Sequence, residues 1–252
     1  MRSFILWLVT LAGCASWLPA PVPMRAIDHE RPGPRAACLM VFLPGRGDSA
    51  EGFAENGFVA EVQRRGYSID MVATDATLGY YTRGVFSERL AEDVVQRRRA
   101  RGYKEVWLVG NSMGGLGTFL YSRQRPVGEV TGLLALAPYL GSDSDLLDAI
   151  RSAGGLARWR APQKMAKLND GNYDRELWRW LQAVTLSKEP GPQLYLGYGR
   201  DDKLSRTDAL LAAALPKERV YVTPGGHNWA TWRKLFSTFL DSGPLRAHCA
   251  LQ

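Results

Sequence analysis

"VWLVGNSMGGLG", residues 106–117, decides how this chain is read. Residues 104–109, apolar from Val106 on, read as a short interior strand, and 113–123 reads as a helix. Ser112 stands at the junction, between Gly110 and Gly114. Gly, Asn and Ser are ordinary turn formers, so a plain strand-to-helix connection explains the stretch. The same residues also have the G-x-S-x-G spacing of a strained turn that exposes a serine hydroxyl above a helix N-terminus. On that reading Asn111 braces the turn. A serine hydroxyl alone is a weak nucleophile, so the second reading requires a base, an orienting acid and oxyanion donors elsewhere in the chain.

Working outward, strand-like and helix-like segments alternate. Residues 38–43, 67–73, 104–109, 131–137, 193–198 and 219–223 read as strands; 50–65, 85–101, 113–123, 204–215 and 229–240 read as helices. In the last helix Trp232, Leu235, Phe236, Phe239 and Leu240 form the i, i+3, i+4 stripe of a helix buried on one face. Alternation of this kind predicts an α/β fold, a mostly parallel sheet with helices on both faces. Residues 139–190 break the rhythm. They hold no clear strand and carry Trp159, Trp178 and Trp180, which predicts a mostly helical insert over the carboxyl ends of the strands. Its tryptophans are either core of the insert or walls of an apolar pocket, with Trp159, Tyr80 and Tyr81 as candidate substrate contacts.

Three histidines are present. His227 follows the segment 219–223 through Pro224-Gly225-Gly226, which puts it at the carboxyl edge of a parallel sheet, where ligands bind. Ser112 reaches the same edge by the same argument. The acid lies in Gly199-Arg200-Asp201-Asp202-Lys203-Leu204, again after a strand. Either aspartate could face His227, and the other could cap the next helix. For the oxyanion, the backbone N–H of Met113 and one from the loop 43–49, with Arg46 the candidate, are the expected donors.

Composition narrows the classes. Apolar residues make up 46% and charged residues 23%, as in ordinary globular proteins, and 252 residues suffice for one domain with a sizeable core. The formal charge of +7 includes the run Arg97, Arg98, Arg99 and Arg101, which ends a helix begun by Glu88, Glu92 and Asp93. Acid at the start and base at the end suit a helix dipole, and no nucleic-acid motif accompanies the run, so no nucleic-acid partner is expected. Metal-binding spacings such as C-x-x-C or H-x-x-x-H are absent, and serine chemistry needs neither metal nor cofactor.

The N-terminus reads as a targeting segment. Arg2 precedes the apolar run 4–12, which is too short to span a bilayer. The run ends in Leu11-Ala12-Gly13-Cys14, which resembles the lipobox of bacterial lipoproteins. That resemblance implies removal of residues 1–13, lipid on Cys14 and, since Ala15 follows the cysteine, an outer-membrane lipoprotein facing the periplasm; the alternative is a secreted or periplasmic protein cut near Ala20. Residues 14–36 are proline-rich and read as an extended tether to a domain at 37–252. In an oxidising compartment Cys38 and Cys249 are then free to pair. Cys38 begins a strand at the amino edge of the sheet, and the helix 229–240 runs back from His227 toward that edge, so the two can meet.

The order Ser112, acid, His227, with a glycine-rich loop earlier, resembles the α/β-hydrolase superfamily from about residue 38 to 240. "LPGRGDSAEGF" is similar to the oxyanion loop of the phospholipase, carboxylesterase and thioesterase branch. "GNSMGG" and "PGGHNWATWR" are more similar to the esterase branch that includes feruloyl esterases and mycolyltransferases. The resemblance implies an α/β-hydrolase fold and a Ser112, Asp202, His227 triad, with Asp202 favoured because it matches the family's G-x-x-D-x-[LV] pattern. Pro44 departs from the family's usual histidine in that loop, and too little chain precedes Cys38 for the first two strands of the family's sheet. The implied activity is cleavage of a small-molecule or lipid carboxylic ester through an acyl-enzyme. Rival readings are acyl transfer or thioester cleavage by the same triad, and a non-catalytic binding lipoprotein on the same fold.

Overall fold

β4 (Glu105–Asn111) lies at the centre of a seven-stranded sheet with the order β1-β3-β2-β4-β5-β6-β7. The computed structural model describes residues 18–33, 36–161, 172–187 and 189–249. The strands are β1 (Ala26–His29), β2 (Cys38–Leu43), β3 (Ile69–Thr74), β4, β5 (Gly132–Leu136), β6 (Gln193–Gly199) and β7 (Val220–Thr223). All pairings are parallel except β1 with β3. Every residue of β2, β3 and β5 is buried, which is why these segments read as continuous apolar runs rather than alternating ones. Successive side chains still part to opposite faces. Leu39, Val41 and Leu43 enter one core; Met40 and Phe42 enter the other.

The first core packs against α3 (Leu78–Thr82), α4 (Phe86–Leu90), α6 (Met113–Gln124), α7 (Ser144–Ser152), α8 (Tyr173–Leu186) and α9 (Ser205–Ala212). α4 continues through a π turn (Ala91–Val95) into α5 (Gln96–Arg99), so the expected helix 85–101 is one rod with a bulge. The second core packs against α1 (Glu51–Glu55), α2 (Phe58–Arg64), α10 (Trp229–Ser242) and α11 (Leu245–His248). There Phe42, Phe53, Phe58 and Phe236 interlock, with Phe58 stacked on Phe236 at 4.7 Å. The single helix expected over 50–65 is broken in two, because Gly57 at φ +83 cannot continue a right-handed helix. The result is the α/β-hydrolase fold, a mostly parallel sheet flanked by helices. In the described part of the insert, α7 and α8 are the helices; residues 162–171 lie outside the described residues.

Over its described residues 18–33, the proline-rich segment differs from the extended tether expected over 14–36. Ala26–His29 adds an antiparallel strand to the sheet edge. Thr77 Oγ1 donates to the Pro19 carbonyl, Tyr80 Oη to that of Pro21, and Met24 N to Asp93 Oδ2 at 2.8 Å, with Met24 buried. The physical reason is that proline fixes an extended chain without removing its carbonyl acceptors, a shape that fits a groove or an edge. Among the described residues, one strand therefore precedes Cys38. The arginine run helps to hold this segment: Arg98 makes a two-point contact with Asp28, and Arg101 pairs with Glu30. Cys14 and the expected signal lie outside the described residues.

Cys38, the first residue of β2, is joined by a disulfide to Cys249, just after α11. Both are fully buried at the amino edge of the sheet, and Ser68 N donates to the Cys249 carbonyl at 2.8 Å. Glu105 lies close to the two sulfurs, but the disulfide leaves neither as a metal ligand.

Candidate active site

β4 ends at Asn111 and α6 starts at Met113, so a single residue, Ser112, makes the turn from strand to helix. It does so at φ 53 and ψ −115, a conformation that costs a non-glycine residue about 1–3 kcal/mol. Neighbouring elements hold it there. Ser112 N donates to Leu136 O of β5 at 2.9 Å, and Ser112 O accepts from Tyr139 N at 3.0 Å. The flanking glycines are required by close approach. A Cβ on Gly114 would lie 1.9 Å from the Leu43 carbonyl oxygen, and one on Gly110 2.1 Å from that of Gly114. Asn111 does not brace the turn through its side chain: the amide is buried and makes no hydrogen bond among the described residues.

The tight turn points the Ser112 hydroxyl at His227, whose Nε2 is 2.8 Å from Oγ. Asp202 holds the other ring nitrogen: Nδ1 lies 2.8 Å from Oδ2 and 3.0 Å from Oδ1. With Nδ1–H donated to the carboxylate, Nε2 carries the lone pair that accepts from Ser112. The Asp202 side chain is fully buried, and it also accepts from Leu204 N at 2.8 Å. His227 leans edge-on against Trp232 at 5.0 Å. The helix behind it is started by Asn228, whose Oδ1 accepts from Thr231 N at 3.0 Å.

Asp201 faces elsewhere. Its Oδ2 accepts from Gly225 N at 2.9 Å and its own N donates to Gly225 O at 3.1 Å, tying the loop after β6 to the loop after β7. The two adjacent aspartates thus divide the work: one touches the histidine, the other joins the loops that carry the acid and the histidine. Further back, Asp208 on α9 is fully buried, and neither of its oxygens has a hydrogen-bond partner among the described residues. Burial, reinforced by the charge of Asp202, raises its pKa well above the carboxylate range.

Ser112 and His227 open into a cavity of about 1120 Å³. Arg46 and Met113, the expected oxyanion donors, both line it, as does Tyr81. Tyr80 and Trp159 do not. Tyr80 is the next residue to Tyr81 on a helix, about 100° round from it, and is buried with its hydroxyl on Pro21. Trp159 is half-buried and packs against the core of the insert side. Trp178 and Trp180 are core as well; the Trp178 indole donates to Leu140 O at 2.9 Å. The lining that sequence reading missed includes Leu116 and Leu120 on α6, Phe86, Tyr173, Trp229 and Trp232. Leu116 and Leu120 carried a signal, because they lie four and eight residues after the serine, on one helical stripe. Tyr173 is placed by tertiary packing alone. Burial pushes the hydroxyls of Tyr81 and Tyr173 well above their ordinary pKa, so both rings are neutral walls.

Residues 40–240 match the profile of the Alpha/beta hydrolase family. Among solved structures, S-formylglutathione hydrolase from Staphylococcus aureus superposes with a TM-score of 0.54 at 13% identity, covering 89% of this chain and 98% of that one. A ferulic acid esterase gives 0.55 at 14% identity, over 88% and 97%. A monoacylglycerol lipase from Paleococcus ferrophilus gives 0.52 at 14% identity, over 89% and 99%. At these identities the likeness is one of fold. No curated protein matches the chain in sequence.

Proposed function

The chain belongs to the Alpha/beta hydrolase family, and from that premise we propose that it is a serine hydrolase that cleaves carboxylic esters through an acyl-enzyme at Ser112. One observation carries the reading: a strained serine whose Oγ is 2.8 Å from His227 Nε2, with His227 Nδ1 2.8 Å from a buried Asp202. Packing alone gives no reason to hold a serine at that φ or to aim a carboxylate, an imidazole and a hydroxyl in line.

In the proposed reaction His227 Nε2 takes the Ser112 proton as Oγ attacks the ester carbonyl carbon. The carbonyl oxygen becomes an oxyanion, received by the N–H groups of Met113 and Arg46 above the α6 N-terminus. Collapse breaks the bond to the alcohol oxygen, which takes the proton from His227. A water then gives its proton to His227 and attacks the acyl carbon, and Ser112 leaves as it regains that proton. Asp202 holds the imidazole tautomer and stabilises the imidazolium without itself being protonated.

The cell-envelope reading is part of the proposal. An anchor on Cys14 would sit four residues before Leu18, at most about 14 Å of extended chain. Because the segment from Pro19 onward is fastened to α3, such an anchor would hold the domain close to the bilayer. No helix among the described residues is long and apolar enough to cross a membrane.

The test is labelling by a fluorophosphonate together with turnover of simple esters. Ser112 is expected to be the labelled residue, and Ser112→Ala to lose both signals. Full turnover in that variant overturns the reading. Partition of the acyl group between free acid and a new ester, in the presence of a competing alcohol, separates hydrolysis from acyl transfer.

A further inference from the structure

Resting on the reading that an ester acylates Ser112, we propose that the groove along α6 holds the acyl chain, and that its apolar floor matches an acyl group of about eight to ten carbons. The cavity straddles the carboxyl edge of the sheet. Its lining includes Asp48, Lys203, His227 and Asn228, and also Leu116, Leu120, Tyr81, Phe86 and Tyr173. The lining draws on both cores: Trp229 and Trp232, beside His227, pack with the α10 core, and Leu116, Leu120, Tyr81, Phe86 and Tyr173 pack with the α6 core. The α10 side combines Trp229 and Trp232 with the polar Asp48 and Asn228, and the α6 side carries Leu116 and Leu120 before Arg123 and Gln124.

The path of the proton sets the direction. His227 Nε2 must deliver its proton to the oxygen of the departing alcohol, so that oxygen leaves on the His227 side, toward α10. The other substituent of the carbonyl carbon is the acyl chain, which then runs to the α6 side.

The groove has a definite length. Met113, Leu116 and Leu120 recur along one stripe of α6 and form its floor. At about 1.5 Å per residue this floor is about 10 Å long. With C–C bonds near 1.5 Å, a zigzag chain advances about 1.3 Å per methylene, so about eight methylenes cover it. Tyr81 stacks on Phe86 at 4.3 Å and forms one wall. That wall can approach the helix because of Gly117, where a Cβ would lie 2.4 Å from the Tyr81 hydroxyl oxygen. Tyr173, at the start of α8, lines the same half. Past Leu120 the stripe continues as Arg123, paired with Glu176 at 3.0 Å, and the exposed Gln124. Among the described residues, a longer chain gains no further apolar cover past Leu120, and none of the described lining closes the end against it.

Nitrophenyl esters from acetate through myristate, assayed below their micellar concentrations, test this. The expected kcat/KM rises about three- to fourfold per methylene, then levels off at about eight to ten carbons rather than falling. A second series, acetate esters of alcohols of growing length, is expected to show little dependence on chain length. Leu120→Trp obstructs the groove and is expected to lower the ratio of decanoate to acetate turnover at least about tenfold. Leu120→Gln, a smaller change at a half-buried position, is expected to lower the same ratio. Acetate turnover with Ser112 labelling, but a flat acyl series, an unmoved ratio in both variants or a gradient in the alcohol series instead, overturns the groove assignment and leaves the ester reading standing. No labelling and no turnover of any ester overturns both.

Discussion

Asp202 meets His227 Nδ1 with both carboxylate oxygens, at 2.8 and 3.0 Å, while Asp201, its neighbour in sequence, turns to the Gly225 amide. The pair therefore makes a directional test. Asp202→Asn is expected to lower kcat on the order of 10⁴-fold with the fold intact, because the amide no longer selects the tautomer that leaves Nε2 free. Asp201→Asn removes one acceptor between two loops and is expected to cost far less. Steady-state kinetics of the two variants on one ester check the ranking; the reverse order would move the acid to Asp201.

The Gly114 backbone packs on the Leu43 carbonyl, where a Cβ would lie at 1.9 Å. Gly114→Ala must push β2 and α6 apart, and is expected to cost about 2–4 kcal/mol by overpacking. Gly47 is a useful contrast. It has φ +89 but open space around it, so Gly47→Ala is expected to cost only about 1–2 kcal/mol from backbone strain. Urea unfolding of the two variants measures the difference.

Asp208 predicts an unusual pH dependence. Burial and the nearby Asp202 raise its folded pKa well above the ordinary value near 3.9. The folded chain therefore keeps a proton that the unfolded chain releases. The stability this contributes is fully present below the unfolded value and is lost progressively as the pH rises from there to the raised folded value. Asp208→Asn, which is neutral throughout, is expected to raise Tm at neutral pH, with the gain shrinking as the pH falls toward about 4. A gain that grows with acidification would refute the assignment.

The disulfide between Cys38 and Cys249 spans 211 residues and pins the last described residue to the first central strand. Loop-closure arithmetic caps its contribution near 5 kcal/mol, with about 2–4 kcal/mol typical. Cys249→Ser is expected to lower Tm and to free α11, while leaving kcat nearly unchanged because the bond lies at the edge opposite Ser112. Thermal unfolding with and without reductant, alongside ester turnover, checks both halves of the expectation.

Local patterns in the chain carried the fold class, the positions of six of the strands to within a residue or two, and the chain order of Ser112, Asp202 and His227. The reason is that parallel strands buried on both faces leave unbroken apolar runs, and strand ends leave glycine-rich turns; both are short-range signals. Local sequence does not separate Asp201 from Asp202, since both follow the same strand, and side-chain direction there depends on which loop each one meets. The strand at 26–29 was hidden because proline-rich segments have the same extended shape whether they dock or not; only the edge of β3, the donors Thr77 and Tyr80 at α3 and the acceptor Asp93 on the π turn distinguish the two cases. Tyr80 and Tyr81 are neighbours in sequence but diverge on a helix, so only packing could assign one to the core and the other to the cavity. The groove itself belongs to no segment. It exists because α6, α3, α4 and α8 converge from distant parts of the chain, and a cavity is a property of the space between elements that no one element encodes.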